Sequence, residues 1–330
     1  MKIIVTGGAG YIGSHTIVEL LAAGFHPIIV DNLCNTDIRN LDGIKEITGE
    51  DVKWYNVDCS KKEKLELVFE KERDIIGAIH FAAYKSVEES VRKPEKYYKN
   101  NIDSLEVLLN QMIKYKVNNL IFSSSCTVYG TPDQLPVTES SPFKKAESPY
   151  GETKQMCENI LQKSNVNSIS LRYFNPIGSH RSGLIGDCSS DKPANLIPII
   201  CEVAKGVRKK LIVNGDDYNT IDGTCVRDYI HVVDLAKSHV SALNYLLKNP
   251  KKDVFNIGTG KGLSVLEAVH FFEKVNKKKI NYLIGPRREG DVDEIYSDNK
   301  KVEDLLVWQA EQSVLQAMED AWNWEINKNR

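Results

Sequence analysis

The sequence lacks the features that mark several protein classes. It has seven cysteines, an odd number, and the closest pair, Cys188 and Cys201, lie 13 residues apart. That spacing excludes CxxC redox and zinc motifs, argues against a disulfide framework and favours a reducing compartment. The seven histidines form no HExxH motif, so no metal site is predicted. No run of ~18 apolar residues is available to span a membrane. The 43 basic and 45 acidic residues leave a formal charge of −2, which disfavours nucleic-acid binding. We therefore expect a cytoplasmic protein with no metal, no membrane association and no nucleic-acid partner.

The first half of the chain alternates short β-branched runs with helical patterns. Alternation of this kind predicts βαβ units and a parallel sheet, and continuous apolar strands predict a sheet covered on both faces. The predicted strands cover 3–6, 27–31, 52–57, 75–82, 118–123 and 166–173, and the clearest helical patterns cover 11–23, 94–115 and 148–164.

The texture changes after about residue 175, where a stretch rich in Gly, Pro, Ser and Asp begins. The 330 residues suffice for about two domains at roughly 150 residues each. The fold class that follows is α/β, with a Rossmann-like doubly wound parallel sheet over 1–175 and a smaller α+β domain over 176–330. Segments near 225–260 could return to the first domain.

A glycine-rich turn follows the first predicted strand and opens the first predicted helix. It reads TGGAGYIG over 6–13 and places Gly7, Gly10 and Gly13 at the spacing of a dinucleotide-binding turn. Such glycines let the backbone approach a pyrophosphate at a helix N-terminus. Asp31 ends the second predicted strand, where a carboxylate grips a ribose 2′-hydroxyl and repels a 2′-phosphate, so NAD is expected rather than NADP. Asp58, at the end of the third, could meet the adenine edge or serve as a plain turn former.

Tyr150 and Lys154 are four residues apart on a predicted helix, which puts both side chains on one face. A phenol is a poor base at neutral pH, and a neighbouring ammonium is expected to lower its pKa. Such a pair could take a proton from a sugar hydroxyl while a hydride leaves the same carbon, although the spacing also occurs by chance. Ser123, Ser124 and Ser125 lie at the end of a predicted strand, and the residues alone do not rank them.

Together these residues resemble the extended short-chain dehydrogenase/reductase family. The resemblance covers nearly the whole chain, and ten motifs in order are highly specific. They are TGGAGYIGSHT at 6–16, DNLCN at 31–35, HFAAYKSV at 80–87, ESVRKPEKYYKNN at 89–101, FSSSCTVYG at 122–130, SPYGETK at 148–154, LRYFNPIGSH at 171–180, DGTCVRDYIHVVDLA at 222–236, FNIGTGKGLSV at 255–265 and PRREGD at 286–291.

The resemblance implies three sets of site residues. The catalytic positions are Ser125, Tyr150 and Lys154. The NAD-contacting positions are Gly7, Gly10, Tyr11, Ile12, Gly13, Asp31, Asn32, Asn35, Asp58, Cys59, Phe81, Ala82, Lys85, Asn100, Ser125, Tyr150, Lys154 and Phe174. The positions that contact a UDP-hexose are Lys85, Ser125, Tyr150, Asn175, Asn195, Arg227, Tyr229, Arg288 and Asp291.

The activity implied is the interconversion of UDP-galactose and UDP-glucose at C4, in galactose metabolism. It would proceed through a 4-keto sugar, with a hydride passed to tightly bound NAD and returned to the opposite face. The resemblance also implies a homodimer built through the helices at 94–115 and 148–164. Three residues depart from the family pattern: Glu152 is expected to point away from the catalytic face, Asn214 replaces a phenylalanine near the uracil, and Ile295 falls at the gate of the sugar pocket.

Three alternatives remain at this stage. One is a related epimerase that acts on N-acetylated or uronic UDP-sugars, which Ile295 leaves open. A second is a 4,6-dehydratase or decarboxylase. Dehydratases carry an Asp-Glu pair after the catalytic serine or threonine, and Cys126 and Thr127 at those positions argue against it. The third is a non-enzymatic NAD-binding module, which would not need Ser125, Tyr150 and Lys154 together.

Overall fold

The computed structural model describes residues 1–189, 193 and 195–328. The strands are β1 (Lys2–Thr6), β2 (His26–Val30), β3 (Trp54–Tyr55), β4 (Ile75–His80), β5 (Asn119–Ser125), β6 (Asn167–Tyr173), β7 (Asn175–Ile177), β8 (Leu211–Asn214), β9 (Val226–His231), β10 (Asp253–Ile257), β11 (Gly262–Ser264), β12 (Tyr282–Gly285) and β13 (Glu294–Ile295). The α-helices are α1 (Tyr11–Ala22), α2 (Arg39–Thr48), α3 (Lys62–Lys71), α4 (Val87–Arg92), α5 (Pro94–Lys114), α6 (Pro149–Lys163), α7 (Leu196–Lys205), α8 (Val232–Lys248), α9 (Val265–Asn276), α10 (Lys300–Leu306) and α11 (Val314–Asn327). A short 3-10 helix (Cys126–Tyr129) follows β5.

The main sheet has seven strands in the order β3-β2-β1-β4-β5-β6-β10, and every pairing in it is parallel. Successive residues of β1 serve opposite faces: Ile3 and Val5 join one apolar core, and Ile4 joins the other. Helices α1, α2 and α8 cover the first core, while α3, α5 and α6 cover the second. The predicted Rossmann-like doubly wound sheet is confirmed.

The site is placed by the point where the strand order reverses. β1 lies between β2 and β4. The connection after β1 therefore runs to one side of the sheet and the connection after β4 runs to the other, which opens a crevice beyond the carboxyl ends of β1 and β4. Backbone hydrogen bonds join the ends of β1, β2 and β4 at the bottom of this crevice. Gly7 N donates to the Val30 carbonyl, and Phe81 N donates to the Thr6 carbonyl.

A second group of elements surrounds β9, which pairs with β7 and β13 in parallel and with β11 in antiparallel orientation. A separate parallel pair joins β8 to β12. Helices α7, α9 and α11 form a third apolar core here. Three later elements pack instead on the first part of the chain: β10 extends the main sheet, α8 packs on α1, and α10 packs on β10 and α8.

Three strands differ by two residues from the sequence-based prediction. β4 ends at His80 rather than at 82. β3 has only two residues and stops short of the predicted 52–57. β5 runs on to Ser125, beyond the predicted end at 123, because Ser123, Ser124 and Ser125 continue the parallel register with the last three residues of β6. Serine has little intrinsic strand preference, so the neighbouring strand decides this ending.

Candidate active site

Two adjoining cavities open at the carboxyl ends of the main strands. The first measures about 250 Å³, and every residue predicted to contact NAD lines it. The second measures about 1370 Å³ and is lined by Lys85, Asn175, Asn195, Arg227, Tyr229, Arg288 and Asp291. Ser125 and Tyr150, also predicted to touch the sugar, line the first cavity instead. Because Lys85 and Asn195 line both, the two cavities form one continuous cleft.

The glycine turn brings the N-terminus of α1 against the end of the main sheet. Gly7 has a φ of +73°, and a Cβ atom there would lie 2.7 Å from the backbone nitrogen of Ala82. A Cβ on Gly13 would overlap the carbonyl oxygen of Gly7. Gly10 is the N-cap of α1, and the first turn of that helix carries no acidic side chain. The turn therefore presents backbone N–H groups and a positive helix end to the first cavity, an arrangement that fits a pyrophosphate.

Asp31 follows β2 directly, and two backbone groups hold its carboxylate at the edge of the first cavity. Ala9 N donates to Oδ2 at 3.1 Å and Leu33 N donates to Oδ1 at 2.9 Å. Burial raises the pKa of Asp31, and these hydrogen bonds oppose the shift. Asp58 accepts hydrogen bonds from Ser60 N and Oγ, as a turn former does, and it also lines the first cavity.

Helix α6 positions Tyr150 and Lys154. Ser148 caps the helix by accepting a hydrogen bond from Gly151 N at 3.2 Å, and Pro149 occupies the first helical turn. Both side chains then face the first cavity. Lys154 Nζ donates to the Ser123 carbonyl at 2.7 Å and lies 5.7 Å from the centre of the Tyr150 ring. The predicted shared face of the helix is therefore present.

The structure ranks the three serines. Side chains alternate along a strand, so Ser123 and Ser125 face the cavity while Ser124 faces away. Ser123 is hydrogen bonded to the Tyr173 hydroxyl, and Ser124 Oγ donates to Glu158 Oε1 at 2.5 Å. Ser125 Oγ accepts hydrogen bonds from Thr127 N at 3.2 Å and Thr127 Oγ1 at 3.0 Å. Its own proton is left to donate toward Tyr150 or a ligand.

The electrostatics of this group differ from the prediction in one respect. The pKa of Tyr150 is raised, because burial outweighs the opposing hydrogen bond with Ser125. The expected lowering by a neighbouring ammonium was wrong for this arrangement, since Lys154 Nζ points to the Ser123 carbonyl rather than to the phenol oxygen. Burial also lowers the pKa of Lys154, to about 8.

Two arginines converge on one carboxylate in the second cavity. Arg227 lies on β9, and Arg288 lies in the loop after β12. Arg288 donates to Asp291 through Nη2 at 2.7 Å and Nε at 3.1 Å, and Arg227 Nη2 lies 3.3 Å from Asp291 Oδ1. Two guanidinium groups held side by side can neutralise a diphosphate by forked hydrogen bonds. Tyr229 shares a face of β9 with Arg227, two residues away.

The three departures from the family pattern have distinct positions. Glu152 is exposed and accepts a hydrogen bond from the Tyr98 hydroxyl at 2.5 Å, so it points away from the cleft as expected. Asn214 ends β8 and lines the second cavity. Ile295 is only 4% exposed and belongs to an apolar cluster with Cys126 and Phe174.

Tyr173 and Asp187 are two of the cleft residues that sequence reasoning missed. Tyr173 lines the first cavity beside Tyr150, and its hydroxyl holds Ser123. Asp187 lines the second cavity and pairs with Lys85 at 3.2 Å. Tyr173 could have been noticed as a polar tip at the carboxyl end of a parallel strand. The loop that carries Asp187 offers no such signal.

The fold and the cleft together define a class of protein. A doubly wound sheet with a glycine turn, a carboxylate after the second strand and a serine, a tyrosine and a lysine around one cavity is the arrangement of a dinucleotide-dependent enzyme of the short-chain type.

The chain belongs to the NAD dependent epimerase/dehydratase family, whose sequence profile matches residues 3–258. This membership confirms the predicted resemblance to extended short-chain dehydrogenases/reductases. UDP-glucose 4-epimerase of Bacillus subtilis (strain 168) is 47% identical over 330 residues, which cover 98% of this chain and 97% of the relative. The Dictyostelium discoideum UDP-glucose 4-epimerase is 47% identical over 335 residues, 99% of this chain and 97% of its own. The crystal structure of UDP-glucose 4-epimerase from Bifidobacterium longum in complex with NAD⁺ and UDP superposes with a TM-score of 0.96 at 45% identity, covering 100% of this chain and 99% of that one.

Proposed function

We propose that this protein interconverts UDP-galactose and UDP-glucose by NAD-dependent inversion at C4. The observation that carries the proposal is the continuous cleft, which joins a cavity with Ser125, Tyr150 and Lys154 to one with Arg227 and Arg288. The relatives that bear the name UDP-glucose 4-epimerase match this chain over nearly its full length, which supports the same activity here.

The first cavity suits NAD. A Cβ at Gly7 or Gly13 would collide with neighbouring backbone, so these glycines keep the turn tight and hold the N-terminus of α1 where it can meet a pyrophosphate. The Asp31 carboxylate would hold the adenosine ribose and repel a 2′-phosphate. When bound, NAD would supply a reversible hydride acceptor and a positive charge that favours the Tyr150 phenolate. The remaining predicted contacts, from Tyr11 to Phe174, line the same cavity and would surround the cofactor.

Tyr150 would act as the base that removes the proton from the C4 hydroxyl, and as the acid that returns it. Ser125 would bridge the phenol oxygen and the sugar, since its own oxygen is already oriented by Thr127. Lys154 is buried beside the phenol and would hold a ribose hydroxyl. The sugar would pass through a 4-keto form and turn over before reduction on its other face.

The second cavity would hold the UDP group. Arg227 and Arg288 would bind the diphosphate, and Asn175, Asn195 and Tyr229 would contact the rest of the nucleotide sugar. The cavity is large, about 1370 Å³. Firm contacts on the diphosphate and few on the hexose would let the ring rotate while the nucleotide stays in place.

The wider organisation follows from the same proposal. Residues 1–175, joined by the segments that return to the main sheet, would bind NAD, and most of 176–330 would bind the UDP-sugar. The protein would act in the cytoplasm, in galactose metabolism, as a homodimer. Helices α5 and α6 would form the interface, since Ile113 and Met156 on them are exposed apolar side chains. No helix among the described residues is long and apolar enough to cross a membrane.

A dehydratase is disfavoured by one further observation. Such an enzyme needs an acid/base pair after the catalytic serine, and here those positions are Cys126 and Thr127. Burial raises the pKa of the Cys126 thiol to about 12, so it would not exchange protons near neutral pH. An epimerase acting on N-acetylated or uronic UDP-sugars would use the same chemistry and is distinguished by substrate.

The test is a coupled assay of the purified protein with UDP-galactose and no added NAD, in which UDP-glucose formation is followed. Turnover is expected, because the cofactor should be retained and regenerated in each cycle. Turnover that requires added NAD would keep the chemistry and contradict tight retention. No turnover in either condition, with activity on another nucleotide sugar, would replace the substrate. No activity on any would favour a binding module.

A further inference from the structure

Helix α6 carries a third polar residue on the face that holds Tyr150 and Lys154. Glu158 lies four residues after Lys154, so the three side chains form one stripe along the helix. Glu158 is 4% exposed and lines neither cavity, and Arg172 on β6 is 5% exposed and also lines neither. These two buried charges therefore play no direct part in holding NAD or UDP-sugar.

Glu158 and Arg172 form a tight ion pair inside the protein. Arg172 Nη2 donates to Glu158 Oε2 at 2.7 Å, and Arg172 Nε donates to Oε1 at 3.0 Å. Removing two charges from water carries a large desolvation cost, so a buried pair is weak support for stability and can instead specify one arrangement of its neighbours. The elements that the pair joins indicate which arrangement this is.

The pair ties together every element that carries a reacting group. Glu158 accepts a hydrogen bond from Ser124 Oγ on β5 at 2.5 Å. Ser124 is the neighbour of Ser125, and its side chain points to the face of β5 away from the first cavity. Arg172 precedes Tyr173, and its Nη1 donates to the Tyr129 hydroxyl at 3.1 Å. Tyr129 ends the 3-10 helix that orients Ser125 through Thr127, and its hydroxyl donates to Asn256 on β10 at 2.6 Å.

The guanidinium group is also fixed in its plane. It lies 5.0 Å from the centre of the Tyr129 ring and 4.8 Å from that of Phe143. A planar cation held between two rings and locked to a carboxylate has one orientation. The pair therefore sets the register of α6 against β5 from the side away from the cleft. That register determines how closely Tyr150 and Lys154 approach Ser125.

We propose that Glu158 and Arg172 are positioning residues for the catalytic group: from outside the cleft, they hold α6 at the register on β5 that brings Tyr150, Lys154 and Ser125 together. The inference rests on the proposed epimerase function. It predicts that loss of the pair slows turnover without weakening substrate binding, because a shift of about 1 Å far from the chemistry can cost up to 10²-fold in rate.

The experiment uses the holoenzyme and the double variant Glu158→Leu/Arg172→Met, which replaces both charges with apolar side chains. Such replacements of buried ion pairs are often neutral or stabilising, so the variant is expected to fold with an undiminished Tm. We expect kcat with UDP-galactose to fall at least about 10-fold and KM to stay within about twofold. Hydrogen exchange measured by mass spectrometry should be faster in the peptide that covers 123–129, a readout independent of turnover.

Two controls separate the outcomes. Glu72→Gln removes a buried carboxylate that accepts from Lys2 and Tyr55 at the far edge of the sheet, and it should leave kcat unchanged. The single variant Glu158→Gln, which leaves Arg172 unpaired, should lose at least as much kcat as the double variant. A stable double variant with wild-type kcat and exchange would overturn the inference. An inactive wild-type protein would instead contradict the proposed function. Hydrogen exchange in the peptide that covers 123–129 would still show whether the Glu158–Arg172 pair holds this segment in place.

Discussion

At the scale of single residues, the cleft depends on where a few polar atoms point. Tyr150 is the proposed proton carrier, and burial in this structure raises its pKa. On the proposed function, a positive charge that arrives with NAD would have to lower this pKa. Ser125 is placed to share a proton with the phenol.

Replacing Tyr150 by phenylalanine removes only the proposed proton carrier. We expect kcat to fall by about 10²- to 10⁴-fold, the usual contribution of a positioned acid or base, with NAD still retained. The measurement is steady-state turnover of UDP-galactose together with the cofactor absorbance of the purified variant. Tyr98→Phe is the matched control, because that phenol donates its hydrogen bond to the exposed Glu152, outside the cleft. A Tyr150→Phe variant with full activity would refute the assignment.

Lys154 predicts a pH dependence of stability. Its pKa is about 8 in the fold, below the ~10.4 of an unfolded lysine. Between those pH values the unfolded chain binds more protons than the folded one, so stability rises with pH through this window. Lys154→Met removes the group, and the difference in unfolding free energy between variant and wild type should change by about 3 kcal/mol from pH 7 to pH 10, in favour of the wild type.

The measurement is urea unfolding of both proteins at matched cofactor content. Lys163→Met, at the exposed end of the same helix, is the control and should give a difference that does not vary over this range. A Lys154→Met difference that stays constant from pH 7 to pH 10 would contradict the buried, weakened lysine.

At the scale of elements, the first βα turn joins a strand to a helix with almost no space between them. Gly7 and Gly13 make that contact possible, and the position of α1 over the first cavity depends on it. Gly24, by contrast, serves the backbone alone, since it has a φ of +79° and nothing lies within 4 Å of its missing Cβ atom.

The variants Gly13→Ala and Gly24→Ala distinguish two effects of an added Cβ atom, a collision with neighbouring backbone and the strain of a left-handed backbone conformation. Gly13→Ala should push α1 away from the turn, cost about 1–3 kcal/mol of stability and lose NAD during gel filtration. Gly24→Ala should cost about 1–2 kcal/mol through its left-handed conformation and keep its NAD. Thermal unfolding and the absorbance of bound cofactor check both. Retention of NAD by Gly13→Ala would show that the turn tolerates a side chain.

At the scale of the whole molecule, the cleft lies between the main sheet and the elements around β9. Arg227 and Arg288 come from that second group, and both pair with Asp291. We expect Arg288→Ala to raise KM for UDP-galactose about 10- to 100-fold, the equivalent of one charge-assisted hydrogen bond, with kcat changed only severalfold. Arg181→Ala, an exposed arginine that lines neither cavity, should leave KM unaltered. An unchanged KM in Arg288→Ala would show that Arg288 does not bind the diphosphate.

The proposed dimer is also a property of the whole molecule. Met156→Glu places a charge on the exposed side of α6, within the proposed interface, and should shift the mass measured by light scattering from dimer to monomer. Ile212→Glu makes the same change at a similarly exposed apolar residue on β8 and should leave the mass unaltered. A wild-type protein of monomeric mass, or a Met156→Glu variant that remains dimeric, would contradict the interface.

The sequence by itself determined the doubly wound sheet, the glycine turn and the shared face of Tyr150 and Lys154. Each of these is local: apolar runs report burial on both faces, glycines report close approach, and a spacing of four reports one side of a helix. The sequence also placed Asp31 correctly, because a carboxylate directly after a strand needs only that strand to be positioned.

Only the tertiary structure decided the rest. That Ser123 and Ser125 face the first cavity while Ser124 faces away depends on how far β5 continues its pairing with β6, which no local pattern states. The meeting of Arg227, Arg288 and Asp291, and that of Glu158 with Arg172, join residues from different elements. Such contacts depend on the register and packing of whole elements, so these charge pairs can be identified only from the tertiary structure.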